Sequence, residues 1–254
     1  MGNNQSNPVP GSTGQGRIVV EDQTHRLLRH YILAAWITLI VFVVVSGLIY
    51  RKLAVNNLVQ EAEDQNIIVA RQFANTSWPE FTSFVSDTSG LSGDDLRDYS
   101  ESSGLREALL IPAGGLPVVR IRLYARDGLI AFSTDDAEMG SYATDEAIMD
   151  IVNWRWYRDD PGVVTQLTHH DVFEGLDSTI RDCDLVSSAV AIPGDGRRTE
   201  VVLQVTQNIT PGIQKIARAQ MIGIGSGVLI ATVLWVFVNG YIRRRQAPGL
   251  EDEV

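Results

Sequence analysis

Two runs of the chain, residues 31–50 and 221–242, are apolar throughout and carry no charged side chain. Each holds 20 residues or more. As α-helices rising about 1.5 Å per residue, each is long enough to cross a hydrocarbon core about 30 Å thick. The first run exceeds the apolar stretch of a signal peptide, and Arg51-Lys52-Leu53 follows it where a small-residue cleavage site would stand. It reads as an uncleaved anchor.

Between the runs the periodicity changes twice. Residues 53–73 contain neither Gly nor Pro and predict a helix continuing the first span. Leu58, Ala62, Ile68 (or Gln65) and Phe73 fall near one face of it. Trp78-Pro79 weakens that helix, and residues 89–92 read as a loop. Asp94 is the expected N-cap of a short helix reaching about Leu110. After the turn cluster at 112–115 the period becomes two. Over Val118–Tyr124, Val119, Ile121 and Leu123 share one face, and Arg120, Arg122 and Tyr124 the other. Asp127-Gly128 predicts a hairpin turn, with 129–133 returning. A helix is expected over 144–156, and strands over 163–168, 185–192 and 200–209. Pro193-Gly194-Asp195-Gly196 separates the last two, and Pro211 opens a helix feeding the second span. Helices followed by about five mostly antiparallel strands make an α+β domain of helix and sheet layers.

The resulting organisation is a disordered tail over 1–30, a first span over 31–50, a folded domain over 51–220, a second span over 221–242 and a short tail over 243–254. The low-complexity part of the first tail is 1–16, and its Met1-Gly2 start matches a loose acylation pattern that a chain with its own spans does not need. Crossing twice puts both termini on one side. Arg17, Arg26, Arg29 and Arg243–Arg245 flank the spans on that side, against Arg51, Lys52, Lys215 and Arg218 on the other. The positive-inside bias therefore makes the termini cytoplasmic and puts the domain on the far side of the membrane.

Charge and cysteine content narrow the function. Residues 51–220 hold 15 Lys/Arg and 26 Asp/Glu, a net of −11, which excludes a nucleic-acid partner. Cys183 is the only cysteine, so no intrachain disulfide forms. His169-His170-Asp171 has the composition of a metal site, but adjacent strand residues point to opposite faces, and no metal is expected. Asp135-Asp136 and Asp159-Asp160 sit among turn residues and read as solvated acids. No catalytic residue and no cofactor follow from any motif. Gly223 and Gly227 form a small-xxx-small pair that lets helix backbones approach, within one chain or between two.

One stretch has a familiar pattern. In residues 119–140, Tyr124, Asp127-Gly128, Phe132-Ser133-Thr134-Asp135 and Gly140 resemble a hairpin of the periplasmic PAS-like (Cache-type) sensor domains of bacterial histidine kinases and diguanylate cyclases. Leu167-Thr168-His169, Phe173, Asp184–Ser188, Ile192-Pro193 and Ile209-Thr210-Pro211 resemble its second half. The chain departs from the pattern at Ala189, where an aromatic is common, and at Asn208, where Asp is usual. The resemblance implies a signal-input domain with a small-molecule pocket between a sheet face and its covering helix and loops. An Arg fork suits a carboxylate, so Arg122 and Tyr124 are the expected binding residues for a small anionic metabolite, with Ser133, Trp154, Trp156, His169 and Ser187 completing the pocket. The plainer reading leaves the arginines solvated and the tryptophans in the core. The expected partners are the membrane and either a second copy of the chain or a separate cytoplasmic signalling protein. The family normally continues into a cytoplasmic output module, so the expectation is a sensor without its own catalytic output, or a fragment of a truncated kinase. A passive envelope scaffold is the rival reading.

Overall fold

The computed structural model describes residues 15–86, 88, 91–153, 162–176, 178–194 and 199–245. The chain divides into two compact units, Met1–Arg51 with Arg218–Val254, and Lys52–Ala217. Two long helices each contribute residues to both units: α1, Gln15–Thr76, and α6, Thr210–Arg245. Both are long and apolar enough to cross a membrane, with mean hydropathy of 2.8 and 2.3 over their apolar windows. Helix α1 begins at Gln15, inside the tail read as disordered. Residues 1–14 lie outside the described residues.

The second unit is α+β. After α1 come α2 (Trp78–Ser86), α3 (Gly93–Ser102) and α4 (Leu105–Leu110). The strands are β1 (Val118–Tyr124), β2 (Ile130–Ser133), β3 (Val163–Glu174), β4 (Thr179–Pro193) and β5 (Thr199–Asn208). A 3₁₀ turn, Asp136–Glu138, and α5, Glu146–Val152, follow β2. The five strands form one sheet in the order β2-β1-β5-β4-β3, and every neighbouring pair is antiparallel.

Each face of the sheet has its own layer. On one face Val69, Ala70 and Phe73 of α1 pack with α2–α4 against Ile121, Leu123, Phe132, Val190, Ile192, Val201, Leu203 and Val205. On the other, Ile148, Ile151 and Val152 of α5 cover Tyr124, Ile130, Ala189, Ala191 and Val202. The tip of the β3–β4 hairpin folds over this second face, where Phe173 and Ile180 pack on Val119, Cys183 and Leu185.

Several local expectations change for identifiable reasons. Ser92, not Asp94, caps α3: its hydroxyl accepts from the Asp95 amide, and the Asp95 carboxylate accepts from the Ser92 amide, a capping box. Gly104, at φ +77°, ends the run to Leu110 by splitting it into α3 and α4. The register of β1 against β5 shifts between Val118 and Arg120, a β-bulge. Val119 therefore joins the α5-side face, and Val118 takes its place against the main core. In α1 Ile68 is exposed, and the buried stripe runs through Asn66 instead. Strands β3 and β4 extend well past 163–168 and 185–192, because the hairpin continues as a ribbon with polar residues on both sides.

Asn66 is fully buried and polar, and it joins helix to sheet. Its amide donates to Ser188 Oγ at 3.0 Å and to the Val205 carbonyl at 3.2 Å, and its oxygen accepts from Gln207 Nε2 at 2.8 Å. Hydrogen bonds of this kind set the rotation and height of α1 over the strands more sharply than apolar contacts do. Asn66→Ala strands the Gln207 amide in a dry site, a loss of about 1–3 kcal/mol. Unfolding of the full chain, followed by near-ultraviolet circular dichroism, is expected to show that loss, and an unchanged transition would remove Asn66 from this role.

Candidate functional site

The hairpin β1–β2 positions a polar cluster on the α5-side face. Its loop is Arg126-Asp127-Gly128, with Gly128 at φ +87°, the left-handed conformation a three-residue hairpin loop needs. The Asp127 carboxylate accepts from the Leu129 amide at 3.0 Å. At the far end of β2, Thr134 exchanges hydrogen bonds with Ile121, through its amide and its hydroxyl. Ser133 Oγ accepts from the Asp135 amide, and the Asp135 carboxylate accepts from the Ala137 amide, so Ser133-Thr134-Asp135 turns the chain into the 3₁₀ turn. Gly140, at φ +80°, lies against the backbone of Gly93, where a Cβ would come within 3.0 Å. These are the residues that carried the family resemblance, and each has a local conformational job.

Their joint result is the placement of Glu138. Arg122 grips this carboxylate with a fork, Nε to Oε2 at 2.7 Å and Nη2 to Oε1 at 2.5 Å. Arg120 Nη1 donates to Oε1 at 2.9 Å, and Ser133 Oγ to Oε2 at 2.9 Å. Arg120 also reaches Asp135 at 3.1 Å and the Glu174 carbonyl at 2.5 Å, and its guanidinium lies 4.3 Å from the centre of the Phe173 ring. Gln204, from β5, accepts from Arg122 at 3.2 Å and from the Tyr124 hydroxyl at 2.8 Å. Arg120, Tyr124, Ser133 and Gln204 are buried, whereas Arg122, Glu138 and Asp135 keep part of their side chains in solvent.

The environment shifts these groups in opposite senses. Burial alone would raise the Glu138 carboxyl, but the Arg122 hydrogen bonds and charge, with Ser133 and Arg120, hold it below the ordinary carboxylate range. Burial pushes the Tyr124 phenol up, against the pull of Arg122. Burial likewise opposes the Arg122 charge, and the Glu138 pairing more than restores it.

The predicted pocket residues separate into groups. Arg122, Tyr124 and Ser133 come together with Arg120 in this cluster. Ser187 lies on the same face two strands away, where its hydroxyl pairs with that of Thr206 at 2.9 Å. His169 is on the opposite face, since it pairs across the ladder with Asp184 while Leu185 and Ser187 face the cluster. Its ring sits 3.0 Å from Asp184, 3.5 Å from Asp182 and 4.0 Å from Asp171, and the Asp184 hydrogen bond leads the effects that raise its pKa. Trp154 and Trp156 lie outside the described residues. Among the described residues no set of three or more His, Cys, Asp or Glu is arranged to hold a metal ion.

In the first unit, a Cβ at Gly227 would stand 3.1 Å from Val43, and one at Gly47 would stand 2.9 Å from Ile224. The close approach of the two apolar helices thus uses one glycine from each. Gly223 faces open space. Trp36 and Trp235 pack edge to face 6.3 Å apart.

Glu138 and Gln204 are the two members of the cluster that sequence reasoning passed over. The depressed Glu138 carboxyl stabilises the fold fully above its unfolded value of about 4.5. That contribution is lost as pH falls through the lower folded value. Glu138→Gln is expected to lower stability at pH 7 by about 1–3 kcal/mol and to flatten the acid limb of the stability profile. Parallel acid limbs for the two proteins would show that Glu138 is not held as described. Neither models of known protein families nor curated proteins match the chain, so the reading of this site rests on its geometry.

Proposed function

We propose that the chain is the signal-input part of a bacterial membrane signalling system. Residues 51–220 are a PAS-like, Cache-type sensor domain on the periplasmic side of the inner membrane, and both termini are cytoplasmic. The domain binds a small anionic metabolite on the α5-side face of its sheet, with Arg122 and Tyr124 as contacts. Binding biases two conformations of the domain, and the spans pass the bias to a cytoplasmic signalling protein or across a homodimer. Any such bias is limited by the difference in the ligand's affinity for the two states.

The observation that carries this reading is the pair of arginines held side by side on a covered sheet face. The hairpin pattern, the α+β layout and the two apolar helices support it. So does the junction of β5 and α6. Ile209 alone separates the last strand from α6, and the turn is fixed by Asn208 accepting from the Thr210 amide and Thr210 accepting from the Asp184 amide. A shift of β4 or β5 therefore reaches the helix of the second span without passing through a flexible linker. The rival, a passive scaffold on the same fold, is favoured by one feature: Glu138 already satisfies the arginine fork.

Two measurements test the proposal. Alkaline phosphatase fused after Gly194 should be active, and fused after Pro248 inactive; the reverse pattern would invert the topology. A melt of the full chain in detergent, screened against organic acids and amino acids, should find a ligand that raises the transition temperature. At one hundred times its Kd a ligand stabilises by about 2.7 kcal/mol. Arg122→Lys should sharply reduce the shift, because an ammonium cannot form the fork. A screen without a hit favours the scaffold.

A further inference from the structure

We propose that Glu138 is a built-in occupant of the ligand site, and that an external carboxylate binds to Arg120 and Arg122 by displacing it. The inference rests on the reading of this domain as a receptor for a small anion. The Glu138 carboxylate receives four donors: two from the Arg122 fork, one from Arg120 and one from Ser133. That is a complete recognition set for a carboxylate, assembled from two strands and filled by a third, separate segment.

Charge requires an exchange rather than an addition. Arg120 and Arg122 carry two positive charges, and Asp135 and Glu138, both in contact with them, carry two negative ones. A ligand anion placed beside this balanced set would leave an uncompensated charge in a site partly shielded from water, which is unfavourable. A ligand that replaces Glu138 keeps the balance.

The tether of Glu138 permits the exchange. It ends a 3₁₀ turn of three residues and belongs to no strand, so its release breaks no ladder bond of the sheet. A cleft of about 310 Å³ opens on the Arg120 side of the turn, lined by Arg120, Asp135, Asp136, Ala137 and Glu174 among others, and does not reach Arg122 or Glu138. This volume suits a small metabolite. Release also has a path outward. The Asp136 carbonyl accepts from Arg97 of α3 at 3.1 Å, and its carboxylate from Arg106 of α4 at 3.2 Å. Moving the turn therefore loads the helices on the far side of the hairpin.

The test uses the full chain in detergent and sodium acetate as the probe, with sodium chloride holding ionic strength constant. An internal occupant raises the apparent Kd by the reciprocal of the fraction of time it leaves the site empty. Glu138→Gln should therefore bind acetate at least about tenfold more tightly than the wild type, read as the midpoint of an acetate titration followed by calorimetry. The gain should vanish in Glu138→Gln/Arg122→Lys. If Glu138→Gln fails to fold, Glu138→Asp, a shorter carboxylate, should show a smaller gain of the same sign. Equal acetate midpoints in wild type and variant would overturn the proposal and leave Glu138 a structural ion pair. A metabolite that binds the wild type, and binds Glu138→Gln no more tightly, also overturns it while leaving the receptor reading intact. A tenfold acetate gain with no metabolite hit on the wild type keeps the exchange and removes the receptor.

Discussion

Two guanidinium groups stand next to each other on a sheet face that is mostly withdrawn from water, and the local structure is organised around neutralising them. An isolated charge in such a place would be prohibitively costly. Like charges side by side add repulsion. The chain answers with one carboxylate shared by both arginines, a second carboxylate on Arg120, and an aromatic ring beneath it. Glu138 can reach this point only because the chain leaves β2 through a tight capped turn, and that turn in turn needs Ser133, Asp135 and Gly140 in their places. The hairpin sequence is thus explained by the charge it has to deliver.

The bulge in β1 adds an apolar residue to the arginine face. A regular strand would put Val119 with Ile121 and Leu123 in the main core and Arg120 opposite. The register shift keeps Arg120 with Arg122 while turning Val119 to the same side, where it closes a small apolar cluster under the hairpin tip. The Leu176 amide then donates to the Val119 carbonyl at 3.0 Å, and the Glu174 carbonyl accepts from Arg120. The tip of a ribbon that begins at the opposite edge of the sheet is in this way fastened to β1. The cluster therefore holds together β1, β2, the 3₁₀ turn and the hairpin tip, which no apolar core alone spans.

The two long apolar helices, β1, β2, the core of β5 and the α+β class were legible because each rests on a strong period or on length. What was not legible depended on partners distant in sequence. Polar residues on both sides of β3 and β4 beyond Thr168 and before Leu185 erase the period of two, so the ribbon reads as loop. His169 and Arg122 fall on opposite faces through strand register, and a single strand's pattern does not reveal how it aligns with another three strands away. Glu138 looks like one more acid in an acidic turn; the signal that would have found it is the need of two strand arginines for a counter-charge. Asn66 was visible in principle, since it stands four residues after Ala62 and three before Val69 on a stripe otherwise apolar. A lone polar residue on such a stripe marks a hydrogen-bond partner across the interface.

The two long helices are held on the sheet by different bonds. Helix α1 is fixed to the sheet by a polar contact at Asn66 and by apolar contacts on either side of it. Hydrogen bonds with defined partners tolerate little sliding, whereas apolar contacts tolerate more, so Asn66 sets where α1 sits on the strands. Helix α6 hangs on β4 and β5 through the bonds of Thr210 and Ile209 to Asn208 and Asp184. Asp184 is also the nearest partner of the exposed His169 ring. The β4–β5 ladder is therefore bonded to both long helices, to α1 through Asn66 and to α6 through Ile209 and Thr210, and neither helix is held by apolar contact alone.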